Sequence, residues 1–240
     1  IMRRNYLFLA EIAVCTIMLA SVNPKRDSDL ITWPNFDEHQ KQTNGRDWIA
    51  LASHYGCWEY FLLYGWSNPN CRMLGVYHPL RSAIFEELYQ RFRNLAPNID
   101  QVAMKNCIRH YIRHRGEERP IALGLISDQS PILRPDTEWI EFFGQPTAFI
   151  DGGEKIAMKF RIPAYFTRID RVAVGRYAVT FEEVFDGEEQ VEEWEITRRY
   201  AERLEAMIRR RPELWLWSHN RWRHTPEKQA KRFGKSTLKE

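Results

Sequence analysis

Short apolar runs recur along the chain, separated by longer amphipathic stretches. DWIALAS (47–53) has the continuous apolar character of a buried strand. CWEYFLLYGW (57–66) reads as a helix, and CRMLGVYH (71–78) as a second strand. PLRSAIFEELYQRFRNL (79–95) opens with Pro79, suited to a first helical position. Its apolar residues Leu80, Ile84, Phe85, Leu88 and Phe92 recur at helical spacing. IDQVAM predicts a short strand, and KNCIRHYIRHRG (105–116) a helix closed by Gly116. PIALGLIS (120–127) is the best candidate for a central strand. TEWIEFFG (137–144) is extended and leads into a helix over DGGEKIAMKFRI (151–162). PAYFTRID and RVAVGRYAVTFEEV predict two strands in an antiparallel hairpin around Asp170 and Arg171. A long amphipathic helix is expected from about Glu189 to Arg211, burying Trp194, Thr197, Ala201, Leu204 and Ile208.

Two N-terminal stretches break this rhythm. YLFLAEIAVCTIMLA (6–20) is apolar but interrupted by Glu11, and it is short for a membrane span of about 20 residues. A helix that packs on the domain or lies at an interface is expected. The chain begins Ile1-Met2-Arg3-Arg4, which suggests a preceding piece. Residues 23–46 read as a polar loop with Pro24, Pro34 and Gly45 as breakers. Strands alternating with helices predict an α/β fold: one mixed, mainly parallel sheet with helices on both faces. The expected division is an N-terminal helix and polar loop (1–46), read as the remnant of a membrane-proximal segment, one folded domain (47–224), and a basic tail (225–240).

Composition narrows the class. Of 240 residues, 44% are hydrophobic and 28% charged, which favours a globular chain over a disordered one. A net charge of +3 does not point to nucleic acid, and no nucleic-acid partner is expected. Basic residues cluster from Arg198 to Lys239, downstream of an acidic stretch from Glu182 to Glu195. That basic end suits anionic lipid, a phosphorylated substrate or an acidic carrier protein, or is simply a solvated helix face. Cys15, Cys57, Cys71 and Cys107 fit no metal or disulfide spacing and read as reduced, packed thiols. No metal site is expected.

The candidate chemistry starts at SHYGCWEYF. If residues 47–53 form a strand, His54 falls at its carboxyl end, where α/β sheets gather reactive groups. Gly56 permits a tight turn, and Glu59 sits in the next helical turn within reach of His54. A carboxylate on one ring nitrogen fixes the tautomer and leaves the other basic. Asp128 and Gln129 follow the central strand and line the same cleft, or cap a turn before Pro131. Gly152, Gly153 and Lys155 stand at a helix start, suited to an anion or to nothing more than a helix start. Arg81 is either a phosphate ligand or an exposed helical cation. Trp215, Trp217, His219, Arg221 and Trp222 read as structural.

Several blocks in order carry a resemblance. SHYGCWEYF resembles an H-x4-[DE] motif. LGVYHPLRSAIFEEL (74–88), ALGLISDQSP (122–131), EFFGQPTAFIDGGEKIAMKFRIPA (141–164) and RPELWLWSHNRWR (211–223) follow it. Together, over residues 47–224, they resemble the lipid A late-acyltransferase branch of the glycerolipid acyltransferase superfamily. The chain departs from that pattern at Ser53 and Cys57, where the branch has Gly and Asn. His78 stands where the branch has an Arg that helps hold an anionic part of the substrate; Arg81 or His78 itself is the candidate replacement.

The resemblance implies a glycerolipid acyltransferase-like fold. It implies acyl transfer from an acyl carrier protein thioester, or from acyl-CoA, to a hydroxyl of an anionic glycolipid. His54 would be general base and Glu59 its orienter, with His78, Arg81, Asp128, Gln129, Gly152 and Lys155 on the substrate. No cofactor is implied, because alcoholysis of a thioester is already downhill. The expected place is the cytoplasmic face of the inner membrane, on the membrane surface or anchored through a preceding segment. Two readings stay open beside it: an acyltransferase with a lysophospholipid or aminolipid acceptor, and a non-catalytic lipid- or carrier-binding homologue.

Overall fold

The computed structural model describes residues 2–23, 26–79, 82, 86–87, 90, 93 and 96–234. Its centre is a seven-stranded sheet in the order β1-β9-β8-β2-β5-β3-β4. The strands are β1 (Ile31–Thr32), β2 (Trp48–Ala52), β3 (Arg72–Tyr77), β4 (Ile99–Ala103), β5 (Ile121–Ile126), β8 (Ala164–Ala173) and β9 (Arg176–Phe185). All neighbours pair parallel except β8 with β9. The expected mixed, mainly parallel α/β sheet is therefore present. β6 (Trp139–Phe142) and β7 (Gln145–Ala148) form a separate hairpin, so the extended 137–144 stretch does not join the main sheet.

The helices are α1 (Met2–Leu19), α2 (Phe36–Thr43), α3 (Tyr64–Ser67), α4 (Cys107–His114), α5 (Gly152–Phe160), α6 (Glu195–Arg210) and α7 (Pro226–Phe233). All five residues of β2 are buried, as a strand covered on both faces must be. β5 lies between β2 and β3, which makes it central. Each fully buried Leu or Ile in these strands contributes about 1.5–3 kcal/mol.

Three local expectations need correction. The polar stretch 23–46 contains β1 and α2. His39 and Thr43 on α2 face inward, and a histidine in an apolar position leaves no hydrophobic period to read. His39 sits between Phe181, stacked at 4.1 Å, and the rings of Trp48 and Tyr165. Residues 58–63 form a 3-10 helix rather than an α-helix, followed by α3. The β8–β9 turn is at Val174 and Gly175, with Asp170 and Arg171 inside β8. Gly175 has φ +69°, which the turn requires. The helix expected over 79–95 falls largely outside the described residues.

α6 buries Ile196, Thr197, Tyr200, Ala201, Leu204, Met207 and Ile208, close to the expected stripe. Trp194 is its N-cap, buried and left-handed at φ 73°. That conformation is held by Glu154 of α5, which accepts from the Trp194 N–H, from the Thr197 N–H at 2.9 Å and from the Thr197 hydroxyl at 2.5 Å. α1 packs on the domain through Phe8, Cys15, Thr16 and Leu19. Its Glu11 accepts from Arg171, from the Gly175 N–H at 2.8 Å and from the Tyr177 hydroxyl at 2.7 Å. Among the described residues no helix is long and apolar enough to cross a membrane.

Candidate active site

The chain leaves β2 toward β3 on one side and leaves β5 toward β8 on the other. In α/β sheets, ligand crevices form at such a switch, beyond the carboxyl ends of the two strands. Ala52 faces Ile126 in the β2–β5 register, and the Ser127 N–H reaches the Ala52 carbonyl at 3.1 Å. Continuing each strand by two residues brings His54 opposite Asp128.

The two side chains meet there. His54 Nδ1 lies 2.7 Å from Asp128 Oδ1, and the His54 backbone N–H donates to Asp128 Oδ2 at 3.0 Å. A carboxylate only accepts, so Nδ1 carries the proton and Nε2 keeps its lone pair. The Trp215 indole N–H donates to Asp128 Oδ2 at 2.8 Å. Burial alone would raise the Asp128 carboxyl. The charge on His54 and the hydrogen bonds from His54 and Trp215 outweigh it and hold the group below its ordinary range. Asp128 is buried, whereas the His54 side chain keeps 19% of its surface open to solvent.

The rest of the crevice fixes this pair. Trp58 stands edge-on to the imidazole at 5.1 Å. The Gln129 side-chain nitrogen is 3.4 Å from His54 Nε2. Gly56, at φ +58°, has no room for a side chain: a Cβ there would come within 2.9 Å of both Ile169 and Tyr177. The closing block forms the floor. The Gly56 N–H donates to the Leu214 carbonyl, and the Leu216 N–H to the His54 carbonyl. The Ser130 N–H donates to His219 Nε2 at 3.1 Å. Arg221 is buried, with its guanidinium 4.3 Å over the Phe149 ring. Burial pushes it down to about 10, against the pull of Asp128 and Tyr200.

The sequence-predicted residues divide. His54, Asp128 and Gln129 converge. Glu59 is not the carboxylate on the imidazole. Its two oxygens face Arg93, at 2.6 and 3.0 Å, while Asp128 takes Nδ1. The helical turn that begins at Trp58 carries Glu59 toward Arg93. Gly152 and Lys155 do not form an open anion site. Lys155 binds Asp151 at 2.7 Å and Arg134 binds the same carboxylate, so the N-cap already supplies the anion. Gly153 is needed for packing instead, since a Cβ would lie 2.5 Å from Leu51. His78 is exposed past β3, its Nδ1 3.4 Å from the Pro79 carbonyl oxygen. Arg81 lies outside the described residues. The Trp215 contact with Asp128 was not foreseen; its signal was the tryptophan-rich closing block.

The sequence profile of bacterial lipid A biosynthesis acyltransferases matches residues 1–224. The chain belongs to that family. The match covers α1 as well as the blocks from β2 onward. No curated protein matches the chain. The acyltransferase family thus meets, in this chain, a His–Asp pair at the divergence of two parallel strands. All four cysteines are free and buried. Burial and a hydrogen bond with Cys15 push the Cys57 thiol far above its ordinary range, which removes it as a nucleophile beside His54. Among the described residues no group of His, Cys, Asp and Glu side chains is arranged to hold a metal.

Proposed function

We propose that the protein moves a fatty acyl chain from an acyl carrier protein thioester, or acyl-CoA, to a hydroxyl of a lipid A precursor or related anionic glycolipid. The observation that carries this reading is the 2.7 Å contact between His54 Nδ1 and the buried Asp128. With Nδ1–H directed into a carboxylate, Nε2 is the base that faces the crevice.

The step balances on these groups. His54 Nε2 takes the proton of the acceptor hydroxyl as its oxygen attacks the thioester carbonyl. The tetrahedral intermediate collapses to the ester and expels the thiolate, which takes the proton back from the imidazolium. Asp128 stays ionised and stabilises that imidazolium. The Gln129 side-chain amide, whose nitrogen is 3.4 Å from His54 Nε2, suits the developing oxyanion. Glu59, paired with Arg93, shapes the crevice wall in this scheme.

A membrane surface is the proposed setting. Tyr6, Leu7, Val14 and Ile17 of α1 are exposed, as are Val172 and Val174 at the β8–β9 tip that Glu11 fastens beside it. Such an outward apolar face suits a helix lying in the interface. The test is incubation in detergent with labelled acyl carrier protein thioester and a phosphorylated glycolipid, beside His54→Ala. Ester product from the native protein and none from the variant supports the reading. Ester formed only on a lysophospholipid overturns the acceptor, and unaltered thioester with every acceptor overturns the transferase reading.

A further inference from the structure

The outward face of α4 carries two parallel rows. Ile108 and Ile112 on α4, and Met104 four residues earlier in the 3-10 turn before it, are each about half exposed, Met104 at 49%, Ile108 at 46% and Ile112 at 50%. Arg109 and Arg113 on α4, with Lys105 in the preceding turn, form the adjoining set at the same spacing and are also exposed. Residues four apart are neighbours on an α-helix surface, so within α4 the Ile108–Ile112 and Arg109–Arg113 pairs run side by side. The opposite face is docked: Cys107 and Tyr111 are buried, and the Tyr111 hydroxyl donates to Asp47 at 2.9 Å.

These three cations are unlike those of α6. There Arg199 is held by Glu189 and Glu195, Arg209 by Glu205 and Arg210 by Asp170. The α6 part of the basic cluster seen in the sequence is thus paired with acidic neighbours. Lys105, Arg109 and Arg113 form no ion pair with any described residue. No acidic residue interrupts the run from Met104 to Gly116.

We propose that this face of α4 docks an acidic, helical acyl carrier protein. This inference rests on the reading that the donor is a carrier-borne thioester. An amphipathic helix with a narrow apolar seam and flanking carboxylates complements both rows. The start of α4 follows the carboxyl end of β4, on the same side of the sheet as the crevice. β4 and β2 are three interstrand spacings apart in the sheet, about 14 Å in all. A thioester on a flexible arm can cross that distance. A lipid surface fits less well, because the apolar row is narrow and lacks aromatic residues. The broader apolar face, on α1 and the β8–β9 tip, lies toward the opposite edge of the sheet.

The test is the double variant Arg109→Glu/Arg113→Glu, with Ile108→Ser as an independent second variant. Binding of holo acyl carrier protein is measured by calorimetry at low and high salt. Turnover is measured with the same acyl chain on the carrier and on free pantetheine. The double variant is expected to weaken carrier binding and raise KM for the carrier thioester about tenfold or more. Its salt dependence should fall, and its turnover of the pantetheine thioester should stay unchanged. Ile108→Ser is expected to weaken carrier binding without changing that salt dependence. Native-like carrier binding by both variants, no carrier binding by the native protein, or an equal loss with pantetheine overturns the proposal. So does loss of binding to phosphatidylglycerol vesicles with carrier binding intact. Carrier binding that depends on α4, without acyl transfer to any acceptor, supports the docking face and defeats the transferase reading instead.

Discussion

Trp215 donates its indole N–H to Asp128 Oδ2 at 2.8 Å, while Asp128 Oδ1 faces the imidazole of His54 at 2.7 Å. The residues are separated by 87 positions in the chain, and the bond is buried. It ties the closing tryptophan-rich block to the carboxylate that orients the base. Trp215 also packs against Phe142, Trp217 and Trp222, so its ring has a structural role of its own.

Trp215→Phe separates those roles. An aromatic ring stays in the cluster, and one hydrogen bond to a charged acceptor is lost, worth about 1.5–3 kcal/mol. The expected result is a fall in kcat of about ten- to a hundredfold, with KM for the donor little changed. Steady-state acyl transfer, with a near-ultraviolet circular dichroism spectrum matching the native one, checks it.

Glu154 is a stability determinant outside the crevice. It is buried, and burial raises its carboxyl against the hydrogen bonds from Thr197 and Trp194. Glu154→Ala leaves the Trp194 and Thr197 donors unpaired at the start of α6 and removes support for the left-handed Trp194. The expected destabilisation is about 2–4 kcal/mol, read from urea unfolding. Glu154→Gln keeps an acceptor and should lose less.

His39 predicts a specific acid sensitivity. Burial lowers it from 6.5 to about 3, and neither ring nitrogen has a hydrogen-bond partner. The folded state therefore holds His39 neutral where the unfolded chain would bind a proton. Its contribution is fully present above about 6.5 and is lost as pH falls toward 3. Within that window each pH unit removes up to about 1.4 kcal/mol. His39→Phe, which keeps the stack on Phe181, should flatten that slope in unfolding experiments run from pH 7 to pH 4.

Much of the sheet was legible because its central strands are covered on both faces, so β2, β3 and β5 read as continuous apolar runs. α2 was not, because its inward residues are a histidine and a threonine. The hairpin turn was misplaced because Asp170 and Arg171 are polar, whereas the chain reverses at Gly175. His54 was visible through ordered blocks, but its partner was not. Glu59 is close in sequence, whereas Asp128 is 74 positions away and is brought opposite by the β2–β5 register. Spacing along a chain shows what a local turn can join. It does not show which strand lies alongside.

The central claim is that His54 is the base and Asp128, rather than Glu59, orients it. The most direct measurement compares acyl transfer by the native protein, Asp128→Asn and Glu59→Gln, each verified as folded by its melting curve. Asp128→Asn is expected to lower kcat on the order of a thousandfold, because an amide no longer holds the imidazole in its basic tautomer. Glu59→Gln should retain most of the rate. A native-like rate from Asp128→Asn with a collapse in Glu59→Gln would contradict the assignment.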